Sequence, residues 1–306
     1  MPLRGQIHRD RPLENISIAY KNDSFIAGQL FPVVPVAKES DTYYVYSRDT
    51  MSLPQTLRAN GAASNEADWN VSTSSYRLEE HALKQLVTYR DRENADAAIR
   101  LDADVTEILT EKIMIRMEVD AAALVMTSTT WANSTSLTTT LAWNTNTTNV
   151  ITQMDSAASV IVQNSGKKPN VVVLNDAVFR TAKENSATVD RVKYTSSDSI
   201  APSVLAKLWG VSDVLVGSAV RNTAKEGLAD SMGFIFPDSV FIGYVERSPS
   251  LRKPSALYRF AKSGADRVVR KWPDEERGGD FVEVSTMYSL NAPATACGYL
   301  IEDAIQ

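Results

Sequence analysis

Residues 91–126 read DRENADAAIRLDADVTEILTEKIMIRMEVDAAALVM. No glycine or proline interrupts them. Apolar residues return near helical spacing at Val105, Ile108, Leu109, Ile113 (or Ile115), Met117, Ala121 and Leu124. Charges of alternating sign fall at four-residue steps, at Arg92, Asp96, Arg100 and Asp104, and mark one solvated face. The pattern predicts one continuous helix over 91–126. Such a helix is on the order of 50 Å long, long for a globular domain of this size, and suits a spine on which other elements lean.

On the N-terminal side, residues 38–80 read as a long hairpin. Thr42–Arg48, TYYVYSR, is aromatic and β-branched, as a strand requires, and a second strand-like stretch runs from Trp69 to Leu78. The polar segment Ala59–Asp68, ANGAASNEAD, forms the tip between them. A hairpin this long and polar is poorly stable alone, so partner surface is its natural support. Residues 1–37 read as an extended arm broken by Pro2, Pro12, Pro32 and Pro35. Within it SFIAGQLFPVVPV, Ser24–Val36, is apolar but too interrupted to make its own core. It must lie against the body of the same subunit or against a neighbour.

On the C-terminal side, residues 127–149 are dominated by Thr, Ser and Asn and predict loop or strand, a suitable domain boundary. Residues 150–245 read as an α/β unit. A helix is expected over Val150–Gln163, capped by Asn149 and stopped by Gly166. A buried strand follows at Asn170–Leu174, then helices at Asp176–Glu184 and Ala201–Trp209, and strands at Val211–Val220 and Phe234–Val245. Beyond 246 the pattern turns to alternation. Val282, Val284, Thr286, Tyr288 and Leu290 point one way from a half-buried strand, preceded by Arg267–Trp272 and the turn DEERGGD. The fold class expected is α+β.

Composition narrows the function classes. The 306 residues are 43% hydrophobic and 23% charged, with a net charge of −5 and no basic block of the kind that grips nucleic acid. Cys297 stands alone, which excludes an intrachain disulfide, and the only histidines are His8 and His81. No apolar run is long enough to span a membrane, and the N-terminus lacks a signal-peptide core. Neither a phosphate-binding loop, a dinucleotide fingerprint nor a nucleophile elbow is present. Asp104, Glu107 and Glu111 share a helix face and could serve as a metal or acid/base site. A solvated charge ladder beside Arg100 and Lys112 is the preferred reading. Tyr43, Tyr44 and Tyr46 could stack on bases. With only Arg48 as a basic neighbour, an intersubunit β-surface is the preferred use. No catalytic residue, cofactor or metal is expected.

The order of elements is arm, long hairpin, spine helix, α/β unit and β-rich return. It resembles the tailed-bacteriophage major capsid fold, the Johnson-type fold, over nearly the whole chain. FPVVPVAKESDTYYVYSRD resembles the arm-to-loop entry of such proteins, and NTNTTNVITQMDSAASVIVQNSGKKPNVVVLNDAVF the entry to their axial domain. The resemblance implies an N-terminal arm at 1–37 and an extended loop at 38–80. It implies a peripheral domain with the spine helix at 81–144 and 246–295, and an axial domain at 145–245 and 296–306. It further implies a structural protein that assembles as hexamers and pentamers into an icosahedral head around double-stranded DNA, within the host cytoplasm. Ile26, Leu30, Phe31, Val33, Val34, Tyr43, Tyr44 and Tyr46 are the expected assembly contacts.

Some family members cross-link a loop lysine to a peripheral-domain asparagine. Here Asn291 is present, but no lysine lies between Glu39 and Leu83, so no covalent mesh is expected. A separate scaffolding protein and a portal are expected partners, and packaged DNA is expected to be touched weakly and without sequence preference. Two other readings share features with this one: a nanocompartment shell of the encapsulin type, and another phage structural protein such as a tail-tube or decoration subunit.

Overall fold

A computed structural model describes residues 25–46, 53–54, 56–66, 71–95, 101–145, 148–193, 200–225, 227–249, 253–263 and 267–305. The first 24 residues of the expected arm, His8 among them, lie outside these, as do Arg48, Asp68, Trp69, Asp96 and Arg100.

The chain enters with one helical turn, α1 (Ala27–Leu30), and a short strand, β1 (Val33–Val36). Strands β2 (Ser40–Tyr46) and β3 (Val71–Arg77) make an antiparallel ribbon, from Ser40 opposite Arg77 to Tyr46 opposite Val71. Then come β4 (Glu79–Thr88), α2 (Tyr89–Asn94), α3 (Leu101–Val125) and β5 (Ser134–Ser136). The middle of the chain holds α4 (Val150–Ser165), β6 (Val171–Asn175), α5 (Asp176–Glu184), α6 (Ser186–Val192), α7 (Pro202–Leu208) and β7 (Asp213–Gly217). A small hairpin, β8 (Val220–Asn222) and β9 (Met232–Phe234), precedes β10 (Val240–Gly243). The chain closes with β11 (Tyr258–Lys262), β12 (Val268–Asp274), β13 (Gly279–Asn291) and β14 (Gly298–Glu302).

Two five-stranded sheets organise these elements. In the first, β13 pairs on one side with β4, from Gly279 opposite Thr88 to Tyr288 opposite Glu79, and on the other with β12 and then β11. The arm strand β1 extends this sheet by pairing parallel to β11. The second sheet runs β5-β14-β10-β6-β7 and mixes parallel with antiparallel pairs. Every residue of β6 is buried. Val172 and Leu174 face a core shared with α4, α5 and α7, while Val171 and Val173 face a core shared with α3 and α1. A continuous apolar run is what a strand covered on both faces demands.

Helix α3 serves both sheets. Its N-terminal half places Val105, Leu109 and Ile113 against Val87, Val282 and Val284 of the first sheet. Its C-terminal half places Met117, Ala121, Ala122 and Val125 in the larger core. The four-residue steps from 105 to 125 are the buried stripe, whereas Ile108 is 48% exposed.

The expected continuous helix over 91–126 is corrected here. Helix α2 ends at Asn94 with Ala95 in an extended conformation, and α3 starts at Leu101, so the long helix has 25 residues and a length of about 37 Å. The physical reason is a four-charge cluster. Arg92 donates to Asp280 at 2.6 Å and to Asp102 at 2.8 Å. Lys271 reaches Asp102 at 2.7 Å and Asp280 at 3.3 Å. Residues ten apart on a straight helix are separated by about 15 Å along its axis, so the Arg92–Asp102 contact requires the chain to bend between them. Lys271 holds the Asp102 carboxyl below its ordinary range, and Arg92 does the same for Asp280.

Two more expectations shift. The apolar stretch 234–245 is split into β9 and β10, because Pro237 has no N–H for a sheet ladder and turns the chain between them. The stretch 211–220 likewise divides into β7 and the start of β8. The expected helix at 176–184 matches α5 at both ends, and Asn149 and Gly166, the latter at φ 66°, cap α4.

Close approach explains one glycine pair. Gly243 and Gly298 face each other across β10 and β14. A Cβ on Gly298 would fall onto the Trp131 ring, which packs against Phe241 with centroids 4.6 Å apart. A methyl group added at Gly28, in α1, would meet nothing within 4 Å. We therefore expect Gly298→Ala to lower unfolding free energy by about 1–3 kcal/mol through overpacking. Gly28→Ala should leave it unchanged or raise it by up to about 1 kcal/mol. Urea denaturation of the two variants in parallel measures the contrast.

Candidate assembly surfaces: the docked arm and the projecting ribbon

A single carboxylate fixes the arm. Helix α1 is one turn long, too short to persist unaided, and its first amides have no helical acceptors. Glu118, on α3 and with no solvent exposure, supplies them: Ile26 N donates to Oε1 and Ala27 N to Oε2, each at 2.9 Å. The arm's apolar residues then enter the core beside Met117, Ala121 and Val125. Beyond α1 the backbone is taken up by β11, with Arg259 N donating to Pro32 O at 3.0 Å and Ser263 N to Val36 O at 2.9 Å.

This changes the standing of three expected assembly contacts. Leu30 and Phe31 have no exposure and Ile26 only 5%, so their apolar surface is consumed inside their own subunit rather than held for a neighbour. The arm was expected to lie against either, and it lies against its own body because α3 offers both an apolar groove and the two acceptors. Val34 is half-buried beside Tyr43, Tyr76 and Phe260, and Val33 remains 41% exposed.

The ribbon is anchored at its base and open beyond it. Tyr76 stacks on Phe260 at 4.7 Å between ring centroids, and Tyr43 packs on the same ring at 5.3 Å. Tyr44, one residue on, faces outward and is 61% exposed. Tyr46 ends β2, and its side chain lies outside the described residues. Past the ribbon, Leu53 and Leu57 are exposed at 94% and 81%. The structure therefore separates the expected contacts. Val33 and Tyr44 offer surface, Val34 and Tyr43 hold the ribbon's root, and Ile26, Leu30 and Phe31 hold the arm.

Sequence reading missed Glu118 and the two loop leucines. Glu118 carried a signal, since it is a charge on the same helical face as Ala122 and Val125. Leu53 and Leu57 are single apolar residues in a polar stretch and carry none. The other candidates take ordinary places. Asp104 and Glu107 are exposed and Glu111 is half-buried on α3. Among the described residues no group of three His, Cys, Asp or Glu side chains could hold a metal ion. His81 stacks on Tyr288 at 4.8 Å, and Asn291 donates to Ser289 Oγ at 3.0 Å. No helix among the described residues is long and apolar enough to cross a membrane.

No family model matches the chain. Curated relatives match almost all of it. It is 26% identical over 302 residues to the major capsid protein of Burkholderia phage BcepMu, with 95% of each chain covered. It is 26% identical over 305 residues to that of Pseudomonas phage JBD67, with 97% of each covered. Among solved structures it is similar to a phage-related protein from Bordetella bronchiseptica, with a TM-score of 0.74, 25% identity and 96% and 97% of the two chains covered. It also shares its fold with the bacteriophage PhiM1 mature capsid, with a TM-score of 0.60, 11% identity and 92% and 88% covered.

Burial pushes the Glu118 carboxyl above its ordinary range, and the two amides pull it part of the way back. The folded chain thus holds this proton more tightly than the unfolded chain does. The residue's contribution to stability is complete below the usual carboxylate range and declines as pH rises toward the folded value. Glu118→Gln keeps the volume but offers one acceptor to two amides, and should cost about 1–3 kcal/mol at acid pH. That deficit should narrow as pH rises through the carboxylate range, as read from denaturation midpoints of both proteins along a pH series. Deletion of 1–37 removes Leu30 and Phe31 from the core, at about 2–5 kcal/mol for each, and should abolish a cooperative transition in calorimetry.

Proposed function

We infer that this chain is the major capsid protein of a tailed bacteriophage, a structural subunit that assembles with copies of itself into an icosahedral head. One observation carries the reading. A docked arm, a projecting ribbon and a long helix shared by two sheets occur in one order along the chain, and phage major capsid proteins align with that order over nearly its full length. A shell subunit must present different patches to several neighbours at once, and contacts between unlike patches close into rings. The ribbon and the exposed loop leucines are surfaces that a monomer leaves uncovered.

The finer assignments follow from this reading. The first sheet with α3 is the peripheral domain, the second sheet the axial domain, and β2–β3 with the residues between them the extended loop. Strand β5 joins the second sheet and Trp143 lies in its core, which favours an axial domain that starts near residue 133 rather than 145. Val33, Tyr44, Leu53 and Leu57 are the neighbour-facing contacts. The assembled units are hexamers and pentamers, formed in the host cytoplasm with a separate scaffolding protein and a portal. DNA is enclosed without sequence-specific contacts, and no covalent mesh joins the subunits. The role is structural rather than enzymatic. A nanocompartment shell is the rival of the same fold, and it is disfavoured because both full-length curated relatives are phage head proteins.

Expression of the chain with its genomic neighbours, followed by negative-stain electron microscopy, should yield closed shells or capsomer rings of five and six. A monodisperse monomer with a scaffold supplied would overturn the assignment. The double substitution Leu53→Asp with Leu57→Asp should reduce shell yield at least about tenfold, since charge placed in a desolvated contact costs several kcal/mol. Circular dichroism of the subunit should stay unchanged, because neither side chain is buried in the fold.

A further inference from the structure

A groove of about 400 Å³ opens between α3 and the β8–β9 hairpin. Lys112, Arg116 and Arg221 stand around it, and Ile115, Val119 and Met232 supply apolar lining. Arg116 is engaged by Asp120 at 2.9 Å. Lys112 and Arg221 have no ion-pair partner among the described residues. Asn222 on the hairpin wall is tied to Asp230 at 2.7 Å, a further carboxylate at this edge. The hairpin pairs with neither main sheet, and a two-stranded unit is marginal alone. It also leaves Leu228, Met232 and Phe234 exposed at 68%, 55% and 44%.

A matching surface lies elsewhere on the same chain. The turn between β12 and β13 carries Glu275 and Glu276, both exposed and both without an ion-pair partner among the described residues. Asp274 is occupied by Arg277, and Pro273 is exposed beside them. This turn cannot reach its own groove. The pairing of Gly279 with Thr88 and of Lys271 with Asp102 fixes it at the first turn of α3. Lys112 and Arg116 lie ten and fourteen residues further along the helix, about 15–20 Å away. Two unpaired carboxylates and two unpaired cations that cannot meet within one subunit can meet between two.

We propose that the β12–β13 turn of one subunit docks in the α3–hairpin groove of a second copy. Glu275 and Glu276 pair with Lys112 and Arg221, and Pro273 lies against the apolar lining. The contact joins unlike patches, so it propagates head to tail and fixes the angle at which it closes. Charge complementarity sets register and suppresses wrong pairings more than it adds affinity. The proposal rests on the shell reading and adds a contact that neither arm nor ribbon supplies.

Charge exchange tests it, with shells of the unmodified chain as the reference. Lys112→Glu with Arg221→Glu, and separately Glu275→Lys with Glu276→Lys, should each lower shell yield at least about tenfold, as like charges then face each other. All four substitutions together should bring the yield back to within about threefold of the reference. A second measurement does not depend on yield. Arg221→Cys with Glu276→Cys should give disulfide-linked ladders from oxidised shells, while Cys297, 1% exposed, stays out of reach. Normal yield from both reversals, or no recovery in the combination together with no ladder, overturns the contact. Loss confined to the groove reversal points to a separate acidic protein and also overturns it. Empty shells of normal yield that fail to fill with DNA point to a polyanion in the groove, with the same consequence. Absence of shells from the unmodified chain overturns the shell reading and this contact with it.

Discussion

One buried carboxylate sets the position of the arm and, through it, of everything the arm touches. Glu118 has no exposure, yet it lies on the one helix that both sheets share. A charge-bearing group in that place is costly unless its oxygens are used. The arm's first amides use both. Carboxylate and helix turn each answer the other's unsatisfied groups. With that contact made, Leu30 and Phe31 fill the core, β1 reaches β11, and the chain leaves the body at the place where the ribbon begins. The order runs from a hydrogen bond to a packing arrangement to the direction of a projecting element.

Much of this architecture was legible because local signals agreed with tertiary demands. Helix α5 and the caps of α4 were readable from Asn and Gly placed where a helix has orphan groups. Strand β13 announced itself by alternation. The failures have equally specific causes. The break at Ala95 comes from contacts of Arg92 with Asp102 and Asp280, the latter far along the chain, and a four-residue charge ladder looks the same whether its members pair with each other or elsewhere. The arm's apolar residues could be recognised as needing cover, but composition does not say whose cover. Glu118 shares a helical face with Ala122 and Val125, which marks it for burial but not for a partner. Its role depends on amides ninety residues upstream, and nothing local records that.

The same logic accounts for the charged side chains on and around α3. Carboxylates on α3 are spaced along a solvated face or engaged with particular partners, and the four-charge cluster of Arg92, Asp102, Lys271 and Asp280 satisfies itself with alternating signs. It ties α2, α3, β12 and β13 together at the end of the first sheet. Its members perturb each other's protonation in the direction of full ionisation, which suits a fastening and leaves no group poised to exchange a proton.

Among the described residues the ribbon is gripped at its base. Tyr43 and Tyr76 both rest on Phe260, and past that aromatic clasp the described residues of the two strands pair with each other. A beam fixed at its root and free along its span bends most easily near the clasp. A tilt of about ten degrees there moves the last pair, Tyr46 with Val71, by about 2 Å without altering a single backbone pairing. In a shell of the kind proposed above, tilting at this clasp would let identical subunits meet neighbours across facets of different curvature with one strand register.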